Sequence, residues 1–383
     1  MAAVVTFAAP VTTARTSATA PRQRRATVVS ARRPSLRGAM STAAAVIAAG
    51  AAADMEGNIA ILFDFDGTLG DTETPAMEVA FWELAPYFPE ASVEYLSTST
   101  MEAYVRNNAG KAFEFMVEVV EADRKAAGLP DVEAVRTGGG EDPDVVTHVD
   151  ACRTLFGLPL LADTRALKVD LLTLQKDETV DALSVLAKPC AQVPEVLETL
   201  RTMGVPFSIA TTSGKPRVPV SVISCGFEAF FPPEMIHSGE SDFDPPRFKP
   251  DPAVYLLAAE KTNALPKNCI AVEDSTSGVG SAANAGLGMI VGYVGGSHIS
   301  AENEEGHAAT LMAGGRSESG RGADIVIRDM KDLVPLTQFF TSQVVTGEFP
   351  PGSAGATPIT FPQEKLLDRL SDKFWVDAAR VVN

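Results

Sequence analysis

Five short apolar runs, Ile59–Phe63, Phe207–Ala210, Ile270–Val272, Met289–Val291 and Ile325–Ile327, constrain this chain more than any other feature. Runs this short, mostly apolar and rich in branched side chains suit strands buried on both faces of a parallel sheet. The stretches between them carry helix signals. Asp251-Pro252 reads as an N-cap with proline at the first helical position, opening a helix over Ala253–Thr262. Ser277–Ala285 reads as a helix stopped by Gly286. Strand and helix in alternation predict a doubly wound α/β core.

The rhythm breaks from Thr72 to Lys188. There Ala112-Phe113, Met116 and Val119-Val120 recur at helical spacing, which predicts an inserted helical domain between the first and second strands. Thr137–Asp144, with its glycines and acids, reads as an exposed loop, and the polar, glycine-rich Gly295–Gly322 as a long mobile one. After Phe340 comes a Gly/Pro linker, then Glu364–Val382, whose Leu366, Leu367, Leu370, Phe374 and Val381 would line one face of a last helix. The expected organisation is an address over 1–53, a core from 54–71 and 189–340, a helical insert over 72–188, and linker plus helix over 341–383.

Charge sorts the partners. Residues 1–53 hold seven arginines and no acid, leaving 25 basic against 49 acidic residues and a body charge of about −24. Such a body repels nucleic acid and anionic membrane surfaces, so anionic substrates must be met by local cations or a metal. No apolar run reaches the roughly 18 residues of a membrane span. Cys152, Cys190, Cys225 and Cys269 are scattered, which reads as reduced thiols rather than a disulfide framework or zinc site. The Ala-, Ser-, Thr- and Arg-rich first 53 residues resemble an organelle transit peptide. The chloroplast stroma is favoured over the mitochondrion. Arg32-Arg33 before the run Ala43–Ala53 leaves the thylakoid lumen as an alternative.

The first strand ends in Asp64-Phe65-Asp66-Gly67-Thr68. Residues two apart on a strand point the same way, so Asp64 and Asp66 are expected to face one point at the carboxyl edge of the sheet, where open α/β sheets bind ligands. Two such carboxylates repel unless a cation lies between them or one is protonated. The second strand ends in Thr211-Thr212-Ser213-Gly214, offering hydroxyls and backbone N–H groups to an anion. Lys249 stands just before a helix start, and Glu273-Asp274 puts a second acidic pair at the same edge.

In order and spacing, these four elements resemble the motifs of the haloacid dehalogenase superfamily of phosphohydrolases, over about residues 57–340. Asp64–Thr68 matches the first motif, Thr211 the second, Lys249 the third and Glu273-Asp274 the fourth. The insert after Asp71 is similar to the cap of the branch whose cap lies between the first two motifs. Lys249–Pro252 and Val272–Ser275 resemble the sugar-phosphate phosphatases, CbbY-like proteins among them, and the β-phosphoglucomutases. The resemblance implies Mg²⁺ held by Asp64, the Asp66 carbonyl and Asp274, with Glu273 orienting a water. It implies Asp64 as nucleophile, Asp66 as acid and base, Lys249 as counter-charge and Thr211 as phosphoryl donor. Thr212, Ser213, Glu73 at the start of the cap, and Arg106, Asn107 and Lys111 beside Gly110 are the candidate substrate contacts. The expected partner is a small phosphorylated metabolite. A mutase with the same chemistry is the alternative. The intact acids argue against a metal-free dehalogenase and against a non-catalytic binding protein.

Overall fold

The computed structural model describes residues 57–108, 113–346 and 359–383. The N-terminal address and Lys111 lie outside them. The described chain opens with β1 (Ala60–Phe63) and a two-residue strand β2 (Gly70–Asp71). Seven helices follow among the described residues: α1 (Glu73–Leu84), α2 (Thr98–Asn108), α3 (Phe113–Ala126), α4 (Val132–Gly138), α5 (Pro143–Leu155), α6 (Leu161–Ala166) and α7 (Leu171–Leu186). Next come β3 (Lys188–Pro189), α8 (Val193–Thr202), β4 (Phe207–Thr211), α9 (Arg217–Ser224), β5 (Ile236–Ser238) and α10 (Ala253–Lys261). The order continues β6 (Cys269–Glu273), α11 (Thr276–Asn284), β7 (Met289–Tyr293), α12 (Glu304–Met312), β8 (Ile325–Ile327) and α13 (Leu333–Thr346). The last segment carries β9 (Phe361–Pro362), β10 (Phe374–Trp375) and β11 (Val381–Val382).

One sheet has the order β10-β8-β7-β6-β1-β4-β5, parallel throughout except for β10. Both of its faces are buried, as the apolar runs require. Along β1, Ile61 and Phe63 enter one cluster with Ile209, Val272 and Val291, while Ala60 and Leu62 enter the other with Ala271, Ile290 and Val326. Burying each of the larger side chains contributes about 1.5–3 kcal/mol. From β1 the chain builds outward to β4 and β5 on one side, then crosses to β6, β7 and β8 on the other. That reversal leaves a crevice at the carboxyl end of β1. Register sets its walls: Phe63 lies opposite Val272 and Ile209, so Asp64 emerges beside Glu273.

The helical insert leaves and rejoins the core as a ribbon, β2 pairing antiparallel with β3 through Gly70–Pro189 and Asp71–Lys188. Its interior is aromatic around α1, where Phe81 packs edge-on to Trp82 and Tyr104. Asp131, Asp142 and Asp170 cap α4, α5 and α7 through their side chains.

Local expectations hold at helix starts. Asp251 Oδ1 accepts from Ala253 N at 2.9 Å, and Ser275 caps α11 through Gly278 N. Elsewhere the structure corrects the reading. The loop at Thr137–Asp144 is shorter than expected: α4 runs to Gly138 and Asp142-Pro143 already starts α5. Gly295–Gly322 is not one structureless loop, because Ala308 and Leu311 drive α12 into the core. Glu364–Val382 forms no α-helix, only the short 3-10 turns Leu367–Arg369 and Ala378–Arg380. Its Phe374-Trp375 pairs antiparallel with Ile327 and Val326, satisfying the free edge of β8. Leu366 and Leu367 are buried in the core, and the Asp332 carboxylate draws Ser371 N and Oγ out of any helical pattern. The edge strand β5 was also not anticipated. All four cysteines are free thiols, three of them buried.

Candidate active site

Asp64 is held at the edge by its own N–H, which donates to Val272 O at 3.0 Å. Beyond it the chain turns hard: the Phe65 carbonyl accepts from Thr68, Leu69 and Gly70. Gly67 has φ 79°, and a Cβ there would strike the Asp274 carboxylate and the His298 ring, so only glycine fits.

The two carboxylates of this turn have separate partners. Asp64 Oδ1 accepts from Lys249 Nζ at 2.6 Å. Asp66 Oδ1 accepts from Thr72 Oγ1 at 2.5 Å and Arg217 Nη2 at 2.9 Å, while its Oδ2 accepts from Ser213 Oγ at 2.6 Å. Lys249 is clamped, donating also to Glu273 Oε1 at 2.6 Å and lying 5.1 Å from the centre of the Tyr255 ring. Tyr255 Oη donates to the same Glu273 oxygen at 2.5 Å. Glu273 therefore anchors the lysine through its Oε1. Asp274 is held twice, with His298 Nε2 3.1 Å from Oδ2 and His307 Nε2 donating to its carbonyl at 2.6 Å. Buried Thr211 turns its Oγ1 to accept from Ser213 N at 3.1 Å.

Set beside known proteins, residues 60–286 match the family model of the haloacid dehalogenase-like hydrolases. The chain belongs to this family. Over 240 residues it is 26% identical to the phosphorylated carbohydrates phosphatase of Thermotoga maritima, covering 61% of this chain and 85% of that one. Over 101 residues it is 37% identical to a CBBY-like protein of Arabidopsis thaliana, covering 26% of this chain and 30% of that one. In fold it is similar to a conserved haloacid dehalogenase-like protein of unknown function from Agrobacterium tumefaciens. There the TM-score is 0.50 and the identity 24%, over 74% of this chain and 99% of that one.

In this hydrolase the electrostatics set Asp64 and Asp66 apart. Burial pushes the Asp64 carboxyl well above the usual carboxylate range; Lys249 pulls it down, and Glu273, Asp274 and Asp66 push it further up. Burial also opposes charge on Asp66, but Arg217, Ser213 and Thr72 outweigh it and hold that carboxyl below its ordinary value. Lys249 stays charged because Asp64 and Glu273 overcome its burial. Half-buried Glu73 is raised by burial, with Arg217 opposing.

Asp64, Glu273 and Asp274 offer carboxylate oxygens within 4.8 Å of one another. A single lysine among these acids leaves negative charge in excess, which adds to burial in raising the Asp64 carboxyl. Among the described residues no backbone N–H donates to the Asp66 carbonyl, so that oxygen is also available. An all-oxygen, acid-rich donor set fits a hard divalent cation such as Mg²⁺.

The cap candidates divide. Glu73 lies close enough to Arg217, Asp66, Asp274 and His298 to interact with them electrostatically. Arg106 and Asn107 are exposed on α2, and Arg106 pairs with Glu102 one turn back at 3.9 Å. No hydrogen bond or ion pair among the described residues joins either to the Asp64 cluster. Sequence reasoning missed Arg217, Tyr255, His298 and His307. Only Tyr255 left a signal, as an aromatic two residues into the helix that follows Lys249-Pro250-Asp251-Pro252.

Proposed function

We propose that this chain is a magnesium-dependent phosphatase that hydrolyses a small phosphate ester, a phosphorylated carbohydrate, through an aspartyl phosphate on Asp64. The observation that carries the reading is the division of one turn's two carboxylates. Asp64 is steered by a buried lysine, while Asp66 is handed to an arginine and two hydroxyls. The phosphatase named for phosphorylated carbohydrates among its relatives supports the substrate class.

Asp64, the Asp66 carbonyl and Asp274 would hold the cation. When bound, it supplies the positive charge that lets an anionic ester approach an anionic nucleophile. The free oxygen of Asp64 attacks phosphorus, and the ester P–O bond breaks as the acyl phosphate forms. Lys249, fixed by Glu273 and Tyr255, balances Asp64 and the incoming phosphoryl group. Thr211 and Ser213 present hydroxyls to it. Asp66 rests as a carboxylate under Arg217; on leaving that partner it takes up a proton from solvent and passes it to the leaving oxygen as the ester bond breaks. It then takes a proton from the water that cleaves the acyl phosphate, releasing phosphate and restoring Asp64.

Residues 1–53 would carry the enzyme to the plastid, on the strength of their acid-free, hydroxyl- and arginine-rich composition. A fluorescent fusion of that segment that stays in the cytosol refutes this assignment. The activity is tested by phosphate release from a panel of sugar phosphates with and without Mg²⁺. Release that needs Mg²⁺ is expected. No release from any ester, or equal release after chelation, would overturn the reading.

A further inference from the structure

The segment after β7 runs back across the mouth of the site. Gly296 lies so close to the Asp64–Gly67 turn that a Cβ on it would meet the Gly67 carbonyl, and the His298 ring rests against Gly67. His298 is mostly buried and places Nε2 3.1 Å from Asp274 Oδ2. From the first turn of α12, His307 fixes the main chain of the same aspartate through its carbonyl. Two of the chain's four histidines thus converge on one residue from one segment. Neighbouring Ser297 meets Thr74, at the start of the cap, with 3.2 Å between hydroxyl oxygens.

Within the metal reading above, on which this inference rests, we infer that His298 is a positioning residue for the cation. By engaging Oδ2 of Asp274, it fixes the carboxylate plane and leaves the other oxygen for the ion. His307 secures the backbone, so the aspartate is held at both ends before the cation arrives. A carboxylate fixed in this way loses little rotational freedom on binding, and removing such an outer partner typically weakens a metal site by about 10–100-fold. The residues after Gly295 thus deliver an imidazole to an acid that the core strands alone leave free to rotate.

The test needs no substrate. Mg²⁺ is titrated calorimetrically into the full chain as wild type, His298→Ala and His298→Gln, each checked for its metal-free unfolding temperature. Wild type is expected to bind Mg²⁺, the alanine variant with a Kd about tenfold or more higher. The glutamine variant, whose amide N–H can reach Asp274, should recover most of the loss. Should the alanine protein not fold, His298→Asn, too short to span the gap, replaces it with the same expected weakening. Equal Kd values for wild type and the alanine or asparagine variant overturn the inference, as does failure of glutamine to recover affinity. Wild type that binds no Mg²⁺ overturns the metal reading itself, a distinguishable outcome.

Discussion

Two clusters of two acids and one base are buried in this molecule, and they are satisfied very differently. At the sheet edge Lys249 donates to Asp64 and Glu273 at 2.6 Å each, and Tyr255 completes Glu273. In the cap Arg153, fully buried, donates to Glu178 and to Pro159 O, yet its Nη1, both oxygens of Glu83 and one of Glu178 have no hydrogen-bond partner among the described residues. The core cluster has spare acid at a crevice, where a cation and an ester can enter. The cap cluster is closed, and its excess of acid shows in Glu83: burial, with Glu178 beside it and Arg153 and Arg136 opposing, pushes that carboxyl well above the usual range. An open cluster can be charged by a ligand that comes and goes; a sealed one settles its charge once, at folding.

The largest expected effect removes the nucleophile. Asp64→Asn keeps the shape of the side chain and should lower turnover by about four orders of magnitude or more, as loss of a nucleophile does elsewhere. Thermal unfolding should show a folded protein. Retained turnover in a chelator-sensitive assay would erase the functional half of the contrast.

Lys249→Met comes next, because it strikes both halves. It leaves Asp64 and Glu273 buried without their cation, an arrangement that typically costs about 3–5 kcal/mol. Turnover should fall by about 100-fold or more with the lost counter-charge. Urea unfolding and initial rates measured on one preparation give both numbers.

Arg153→Met is the matching change in the cap. Stability should fall by about 3–5 kcal/mol here too, because Glu178 is left buried without its partner. The kcat/KM for p-nitrophenyl phosphate should change less than about tenfold, since the residue touches nothing that reacts. A turnover loss as large as that of Lys249→Met would show the two clusters to be coupled.

The same division explains what could be read from the sequence. The runs at β1, β4, β6, β7 and β8 were legible because both faces of each are buried, leaving an apolar signal with nothing to dilute it. β5 was not: it is three residues long, and His237 and Ser238 make two of them. The last segment carries apolar residues at helical spacing, but the unpaired edge of β8 outweighed that pattern, a demand visible only once the sheet exists. Asp64, Asp66, Lys249 and the Glu273-Asp274 pair stood out because strand ends place them. Arg217 and His298 did not, since a lone arginine after proline and a histidine in a polar loop look like solvated residues. Their meaning comes from Asp66 and Asp274, which are distant in sequence.

Glu83→Gln should have the smallest effect and gives the sharpest test of the sealed cluster. The amide mimics a protonated carboxyl, so near pH 5 the variant should match wild type to within about 1 kcal/mol. At higher pH they should part. The unfolded chain releases the Glu83 proton around the ordinary value of 4.5, whereas the folded chain keeps it until its own raised pKa. Over that window the native state binds more protons than the unfolded one, so wild-type stability falls as pH rises. Glutamine does not titrate and escapes that fall, while Glu178, also raised by burial, contributes its own slope to both proteins. The unfolding temperature of the variant should therefore rise above that of wild type progressively from pH 5 to pH 8. Parallel curves would mean that Arg153 keeps Glu83 ionised inside the fold.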